Sequence, residues 1–262
     1  MANSKTFQVH REVYQARLNL RDDPDATQYR AISGLAVVGL LVGALSLLAL
    51  AAPLLWIVAV VAVVVNLKAL RWIAANAPAL LGRKAALAGL ALSTFAVFAV
   101  PVDWLAYRYS VRQEARQFAE MWFDYLRADR PMWAHQLTIS PTSREILDEK
   151  KLWETYRDEQ ARQMLREFVT KPEVRVLLAL GDRAIVRFYD TESHWAEESR
   201  DRVYQTFAVT FTDTDGLKTF FVGLLLERAV DLPTRHAYWQ VTRSVGGVKP
   251  KRLGGDGNPP TF

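Results

Sequence analysis

Two long stretches in the first part of the chain contain no charged residue, 31–67 and 85–102. The first stretch is too long for a single helical crossing of a hydrocarbon core of about 30 Å, and it is long enough for two crossings. Pro53 divides it, because proline lacks a backbone donor and suits the first turn of a new helix. We therefore predict a helical hairpin followed by a third membrane helix. The predicted spans are 31–51, 54–70 and 85–105.

The apolar positions after the third span recur every three or four residues, a pattern typical of an amphipathic helix. The predicted buried stripe consists of Val111, Ala115, Phe118, Trp122 and Tyr125. Asp129-Arg130-Pro131 predicts that this helix stops and that a short helix carrying His135 begins. A capping box formed by Thr142 and Glu145 predicts the start of a third helix, which reaches about Val169.

From Glu173 onward the pattern changes to the short alternating runs of β-strands. The predicted strands are 174–180, 183–190, 202–212, 218–228 and 237–244. Turn residues at Gly181-Asp182 and at 213–216 predict two hairpins. The residues from Gly246 onward are rich in Gly, Pro, Lys and Arg, which predicts a disordered tail.

The order of the elements predicts the fold class. We expect a multi-pass α-helical membrane anchor with three spans, followed by an α+β soluble domain whose helices pack on a curved antiparallel sheet. The predicted bounds are 1–30 for a cytoplasmic N-terminal segment, 31–105 for the anchor, 106–245 for the soluble domain and 246–262 for the tail. Soluble core helices are the alternative for the apolar runs, but runs of this length without charge rarely occur in water-soluble domains.

Positive charge is concentrated beside the predicted spans rather than on the soluble domain. The formal net charge is +5, and residues 1–105 account for +4 of it, which argues against nucleic acid as a partner. The loop between the second and third spans holds Lys68, Arg71, Arg83 and Lys84 and no acid, and short basic loops stay in the cytoplasm. We therefore predict a bacterial inner-membrane protein with a cytoplasmic N-terminus and an extracytoplasmic C-terminal domain. A single tilted span in place of the hairpin is the alternative topology.

Small residues recur at four-residue spacing in the anchor, Gly39 and Gly43 in the first span and Ala85, Gly89 and Ser93 in the third. Such positions allow helices to approach closely in lipid, where packing drives association. They predict packing within the anchor or, as an alternative, a homo-oligomer through Gly39 and Gly43. The apolar runs contain no charged residue and no His, which argues against an ion or proton pathway.

The anchor resembles a known bacterial membrane module. The stretch from Leu67 to Ile73, Pro78, Gly82-Arg83-Lys84 and the run from Ala86 to Ser93 are similar to the family catalogued as domain of unknown function 4190. The resemblance covers about residues 31–105. It implies an anchor that occurs beside varied domains, and it brings no catalytic residues.

The C-terminal half resembles the nuclear transport factor 2-like superfamily over about residues 107–245. The similarity lies in the element order: a helix, a restart at an Asp-x-Pro segment, a helix, and hairpins that end in a Trp-containing strand. The resemblance implies a cone of helices on a curved sheet. Some members of the superfamily are small isomerases or dehydratases whose pockets use Asp, His and Tyr, and others are membrane-anchored scaffold domains outside the cytoplasm.

Candidate chemistry is sparse. The four histidines have no metal-ligand spacing, and motifs of zinc proteases, nucleophile elbows and phosphate loops are absent, so we expect no metal and no cofactor. The candidates for acid/base catalysis are His135 with Asp124 or Tyr189, because an imidazole titrates near neutrality and a carboxylate orients it. The favoured alternative for His135 is a structural histidine beside an aromatic cluster.

The polar stretch 191–198 is predicted to be a loop, and its Trp195 and His194 are candidates for binding a partner. A solvated loop with the Trp folded back is the favoured alternative. The remaining tryptophans of the soluble domain are predicted to be core residues: Trp122, Trp133, Trp153 and Trp239.

These observations support two functional hypotheses. The first is a membrane-anchored interaction or scaffold domain without catalytic activity, whose partners are the lipid bilayer and other membrane or envelope proteins. The second is an extracytoplasmic small-molecule binder or acid/base enzyme that uses the cavity of the cone. A hollow interior lined by polar side chains favours the second hypothesis, and an interior filled by Trp and Phe favours the first.

Overall fold

The computed structural model describes residues 31–76, 80–144, 148–197, 200–231 and 236–259. The chain divides into two compact units, Met1–Ala106 and Tyr107–Phe262. The predicted segment 1–30, and Glu145 of the predicted capping box, lie outside the described residues.

The first unit consists of apolar helices and one short pair of parallel strands. Its elements are β1 (Ala31–Ile32), α1 (Gly34–Leu45), a 3₁₀ helix (Ser46–Leu50), a second 3₁₀ helix (Pro53–Leu55), α2 (Trp56–Ala75), β2 (Leu80–Leu81) and the first part of α3 (Arg83–Arg127). The helical interruption predicted before Pro53 is confirmed, because the first apolar run ends at Leu50 and restarts at Pro53.

Two helices, α2 and α3, are long and apolar enough to cross a membrane, whereas the first apolar helix, Gly34–Leu50, is shorter. The described residues therefore contain two helices of spanning length, whereas the sequence predicts three. The first helix changes from α-helix to the tighter 3₁₀ helix at Ser46. At this point the Ser46 hydroxyl donates to the Gly43 carbonyl oxygen at 2.6 Å.

The buried residues of the apolar helices are nearly all small and follow the three- and four-residue spacing of one helix face. They are Ala36, Gly39, Gly43, Ser46 and Ala49; Ala59, Ala62, Asn66, Ala69 and the larger Ile73; and Ala86, Gly89, Ser93 and Ala96. The large apolar side chains point away from this interior, and Ile57 and Phe98 are 66% and 68% exposed. Water-soluble domains bury their large apolar residues, so this pattern is the inverse of a soluble core.

Asn66 joins the three apolar helices at one level. Its side-chain amide donates to the carbonyl oxygens of Gly39 at 3.0 Å and of Ala62 at 2.9 Å. A Cβ atom added at Gly89 would lie 2.6 Å from Asn66 Oδ1 and 2.7 Å from the Gly39 carbonyl oxygen. A side chain at Gly39 or Gly89 would therefore collide with Asn66, so glycine at both positions permits this close approach.

A proline interrupts the hydrogen-bond ladder of α3 at Pro101. Proline has no N–H, so the carbonyl of Val97, four residues earlier, loses its helical donor. The indole Nε1–H of Trp56, the first residue of α2, donates to this carbonyl oxygen at 3.0 Å. Trp56 thus supplies the donor that Pro101 removes, so these two residues form a matched pair.

The second unit is α+β. The elements after α3 are α4 (Pro131–Gln136), a 3₁₀ turn (Pro141–Ser143), α5 (Glu149–Thr155), α6 (Glu159–Thr170), α7 (Pro172–Leu180), a 3₁₀ turn (Gly181–Arg183), β3 (Ile185–Glu197), β4 (Arg200–Asp213), β5 (Gly216–Val230), β6 (Ala237–Gly246) and a 3₁₀ turn (Lys251–Leu253). The strands form an antiparallel sheet in the order β3-β4-β5-β6. The predicted α+β class is confirmed.

The helices cover one face of this sheet. The predicted stripe of α3 is correct, since Val111, Ala115 and Trp122 are buried in the core and its other members pack against it. Phe207 and Val209 of β4 meet the stripe from the sheet side. They alternate along β4 with residues that point to the opposite face, as expected for a strand between two environments.

One predicted strand is wrong, because residues 172–180 form α7. The apolar run 174–180 has no clear period, and a short apolar run fits a strand or a buried helix equally well. The flanking residues decide: Pro172 occupies the first helical position, and Gly181 ends the helix with φ +53°. The predicted turn at Gly181-Asp182 is thus a helix end, and the sheet has four strands rather than five.

The single third helix predicted from Thr142 to Val169 is two helices. Thr142 lies in a 3₁₀ turn, and α5 and α6 begin later at their own caps. The Asp148 carboxylate accepts from the Lys150 N–H at 3.0 Å, and Asp158 accepts from the N–H groups of Gln160 and Ala161. Aspartate caps of this kind fix where a helix begins.

The segment after β6, predicted to be disordered, is described to residue 259 and crosses the sheet. It leaves β6 at Gly246, and the Lys251 N–H donates to Glu192 on β3 at 3.0 Å. Because β6 and β3 are the two edge strands, the segment spans the full width of the sheet. Tyr204 and Thr206 of β4 are buried on this outer face.

Candidate functional site

A cluster of charged and polar side chains surrounds Asp201 in the second unit. Its members are Tyr107 and Glu114 on α3, His194 on β3, Asp201 on β4, Arg228 on β5 and Trp239 on β6. The strand register brings three of them together, since Asp201 pairs with Arg228 and Arg228 pairs with Trp239. Four strands and one helix therefore supply the cluster.

The Asp201 carboxylate is the centre of the cluster. The Tyr107 hydroxyl donates to Oδ2 at 2.5 Å, and His194 Nε2 lies 3.2 Å from Oδ1. The Arg228 guanidinium lies 3.6 Å from Oδ2 and donates through Nε to Glu114 Oε2 at 3.2 Å. The carboxylate is thus hydrogen-bonded on both oxygens and compensated by one cation, as a buried charge requires.

His194 is held neutral at neutral pH. Burial lowers its pKa and the nearby charges of Arg108 and Arg112 lower it further, although Asp201 opposes the shift. In the neutral form Nε2 carries the proton toward Asp201, so Nδ1 is an acceptor. Nδ1 is buried and has no hydrogen-bond partner among the described residues.

Tyr107 stays protonated as a donor. Burial and its hydrogen bond to Asp201 raise the pKa of its phenol to about 12. An aspartate, a neutral histidine and a tyrosine are residue types that can hold and move a proton. The His194 side chain is only 3% exposed, however, so a substrate reaches it only if the strands open. The closed geometry fits a structural network that ties α3 to the sheet.

The predicted acid/base candidate His135 lies elsewhere, on α4. Its Nδ1 is 2.5 Å from the Tyr156 hydroxyl, and its ring packs 5.2 Å from the Phe168 ring centroid. Burial, helped by the charge of Lys171, lowers the pKa of His135 to about 4. Burial raises the pKa of Tyr156 to about 12. His135 is therefore a neutral histidine in an aromatic cluster.

The structure does not bring the other two candidates to His135. Asp124 has a side chain that is 70% exposed, and it pairs with Arg127 at 3.3 Å. Tyr189 lies on β3, where its ring packs edge to face on Phe221 with 4.9 Å between centroids. No contact of His135 among the described residues involves Asp124 or Tyr189.

The predicted partner-binding residues lie on a strand rather than a loop, because β3 continues to Glu197. Trp195 is half-buried and stands opposite Arg202 of β4. His194 points into the polar cluster described above, so its side chain is not presented to a partner. The prediction of an acidic loop is wrong because two bulges, at 188–190 and 191–193, shift the alternation that marks a strand.

Sequence reasoning missed Tyr107, Asp201 and Arg228. They are far apart in the chain and meet only through strand register, and no local motif marks them. The single sequence signal was His194 in a polar stretch followed closely by Asp201. Among the described residues, no group of three or more His, Cys, Asp or Glu could hold a metal ion.

Large aromatic side chains pack in the interior of the second unit, as far as the structure describes it. Trp122, Phe123 and Phe207 are fully buried, with ring centroids 5.0 Å apart for the first pair and 4.9 Å apart for the second. A cavity of about 380 Å³ opens beside the ends of β5 and β6 and is lined by residues such as Ser140, Asp231 and Tyr238. None of the predicted catalytic or partner-binding residues lines it. Trp153, predicted to be a core residue, is 57% exposed.

No family model matches the chain, and no curated protein or solved structure matches it either. Function therefore rests on the geometry of the two units. The resemblances of the anchor and of the C-terminal half stay expectations.

Proposed function

We propose that this protein is a membrane-anchored interaction or scaffold domain without catalytic activity. Its anchor would cross the bacterial inner membrane three times, with the shorter first helix as one crossing, and its α+β unit would lie outside the cytoplasm. The observation that carries the proposal is the aromatic packing of Trp122, Phe123 and Phe207 inside the α+β unit. A binder or enzyme of the cone type needs a cavity there, and aromatic rings occupy that space.

The anchor half of the proposal rests on the inverted distribution of side chains. In the most apolar 18-residue stretch of α2 only 28% of the residues are buried, and in the corresponding stretch of α3 only 22% are buried. A core helix of a soluble protein would be mostly buried, whereas a helix in lipid exposes its large apolar side chains. The bilayer is thus the first partner that we propose.

The other proposed partners are membrane or envelope proteins. Within the chain, Gly39 packs against Asn66 and Gly43 packs against Gly89. The proposal therefore does not include a homo-oligomer through these glycines. Trp153 and Trp195 remain as aromatic side chains that are not fully buried, and aromatic anchors of this kind are enriched at protein interfaces.

A small-molecule binder or acid/base enzyme is the alternative, favoured by the free Nδ1 of His194 beside Asp201. A substitution that removes a large buried side chain distinguishes between these two proposed functions. In the full chain, Phe207→Ala should lower the free energy of unfolding by about 3–5 kcal/mol if the interior is filled. Leu217→Ala, at a side chain that is 73% exposed, is the matched control and should cost little. Equal, small losses for both variants would indicate a hollow interior and favour the binder.

A further inference from the structure

A groove of about 730 Å³ runs along the later apolar turns of α3 in the first unit. This volume lies within the usual range of small-ligand sites. Leu50, Phe95, Phe98 and Val102 form apolar walls, and Asp103 also lines the groove. Phe95 and Phe98 are 58% and 68% exposed, so the groove opens on the side where the anchor turns its large apolar residues outward.

The register of the helices places Asp103 at one end of the anchor. Ala36 packs in one cluster with Ala86, and Gly39 contacts Gly89, so residues of the first helix lie level with residues fifty positions later in α3. The same offset puts the turn between the first two helices, around Pro53, level with Asp103. Both the hairpin and the apolar run of α3 therefore end at this level, which is where the hydrocarbon core would end.

Asp103 is the one acidic residue among the lining residues of the groove. Within the described residues its carboxylate has no hydrogen-bond or ion-pair partner. A carboxylate at the edge of hydrocarbon is costly unless a cation or a donor meets it. The groove walls supply no cation, and Thr94 is the one other polar residue among the lining residues.

We propose that this groove binds a phospholipid whose headgroup carries a primary ammonium. One acyl chain would lie against Phe95, Phe98 and Val102, and the ammonium would donate hydrogen bonds to the Asp103 carboxylate. The inference rests on the proposed membrane anchor and deepens it by naming the lipid class.

Headgroup chemistry makes the inference specific. A primary ammonium offers N–H donors and a positive charge, and charge-assisted hydrogen bonds are stronger than neutral ones. Choline has the charge but no N–H group, and a glycerol headgroup leaves the phosphate charge uncompensated beside Asp103. The expected order of binding is ethanolamine, then choline, then glycerol.

The test uses the full chain reconstituted in vesicles with equal parts of phosphatidylethanolamine, phosphatidylcholine and phosphatidylglycerol. After mild detergent extraction, the retained lipids are quantified by mass spectrometry. We expect the ratio of retained phosphatidylethanolamine to each of the other two lipids to be about threefold to tenfold higher than in the vesicles. Asp103→Asn should abolish this enrichment and Asp103→Glu should keep it. Ala99→Trp, which fills the groove, should reduce retention of all three lipids. Asp182→Asn, an exposed acid of the second unit, is the matched control.

Two outcomes would overturn the inference: retention without headgroup preference, or a preference that survives in Asp103→Asn. An alkaline carbonate wash of the vesicles separates this failure from failure of the proposed anchor. If the chain stays in the membrane after the wash, only the lipid inference falls. If the wash releases the chain, the anchor falls and the lipid inference with it.

Discussion

The pairing of Trp56 with Pro101 gives a quantitative prediction for the anchor. Trp56→Phe keeps the aromatic bulk and removes the N–H that satisfies the Val97 carbonyl. An unsatisfied buried carbonyl costs about 1–3 kcal/mol, while hydrogen bonds between membrane helices average about 0.6 kcal/mol and reach about 1.7 kcal/mol. We expect Trp56→Phe to lower the free energy of unfolding by about 1 kcal/mol.

Pro101→Ala provides the second side of a double-mutant cycle. Alanine restores an N–H at position 101, so the Val97 carbonyl regains its helical donor and no longer needs Trp56. In the Pro101→Ala background, Trp56→Phe should therefore cost almost nothing, and the cycle should yield a coupling energy of about 1 kcal/mol.

The assay is unfolding of the full chain in mixed micelles, followed by circular dichroism as the denaturing detergent is increased. Trp72→Phe is the matched control, since Trp72 is also on α2 and is 57% exposed, and its indole N–H makes no hydrogen bond to another helix in the described part of the chain. An equal loss for Trp56→Phe in both backgrounds, or no loss in either, would refute the reasoning.

Two further predictions concern a buried histidine and a close helix contact. Because burial lowers the pKa of His135 to about 4, the unfolded chain binds the proton more tightly, so stability is complete above about pH 6.5 and decreases as the pH falls toward 4. Urea unfolding should show a loss of about 2 kcal/mol over this interval that His135→Gln lacks, and parallel pH profiles for the two proteins would contradict the assignment. Gly89→Ala should destabilise the anchor by about 1–3 kcal/mol, since its Cβ would collide with Asn66 and the Gly39 backbone. Gly34→Ala is the control and should not destabilise it, because nothing lies within 4 Å of the new Cβ. Equal melting temperatures for these two variants would count against the packing.

Strong periodic signals allowed much of the fold to be predicted from the sequence. The stripe of α3 and the alternation of Val203, Phe207 and Val209 on β4 reflect burial against a single core, which leaves a period in the sequence. The apolar runs that predicted the anchor correspond to helices, but hydropathy does not report the change from α-helix to 3₁₀ helix at Ser46.

The candidate site was less accessible to sequence reasoning. His194 reaches Asp201 only because of the strand register and the bulges of β3, and Tyr107 reaches it from a helix that lies 94 positions away in the chain. The sequence correctly predicts a short helix for His135. Its partner Tyr156 lies at the end of a helix that is capped by Asp148, whereas the sequence predicts the start of that helix at Thr142. Contacts set by tertiary packing leave no local pattern, so the residues around Asp201 could not be grouped in advance.

The most direct test of the central claim is the membrane topology of the two units. The chain has no cysteine, so Asn76→Cys and Thr214→Cys each introduce a single thiol at an exposed position. An impermeant thiol reagent applied to intact cells should label Thr214→Cys and spare Asn76→Cys, and both should react after the cells are permeabilised. Labelling of Asn76→Cys with protection of Thr214→Cys in intact cells would contradict an extracytoplasmic interaction domain on a membrane anchor.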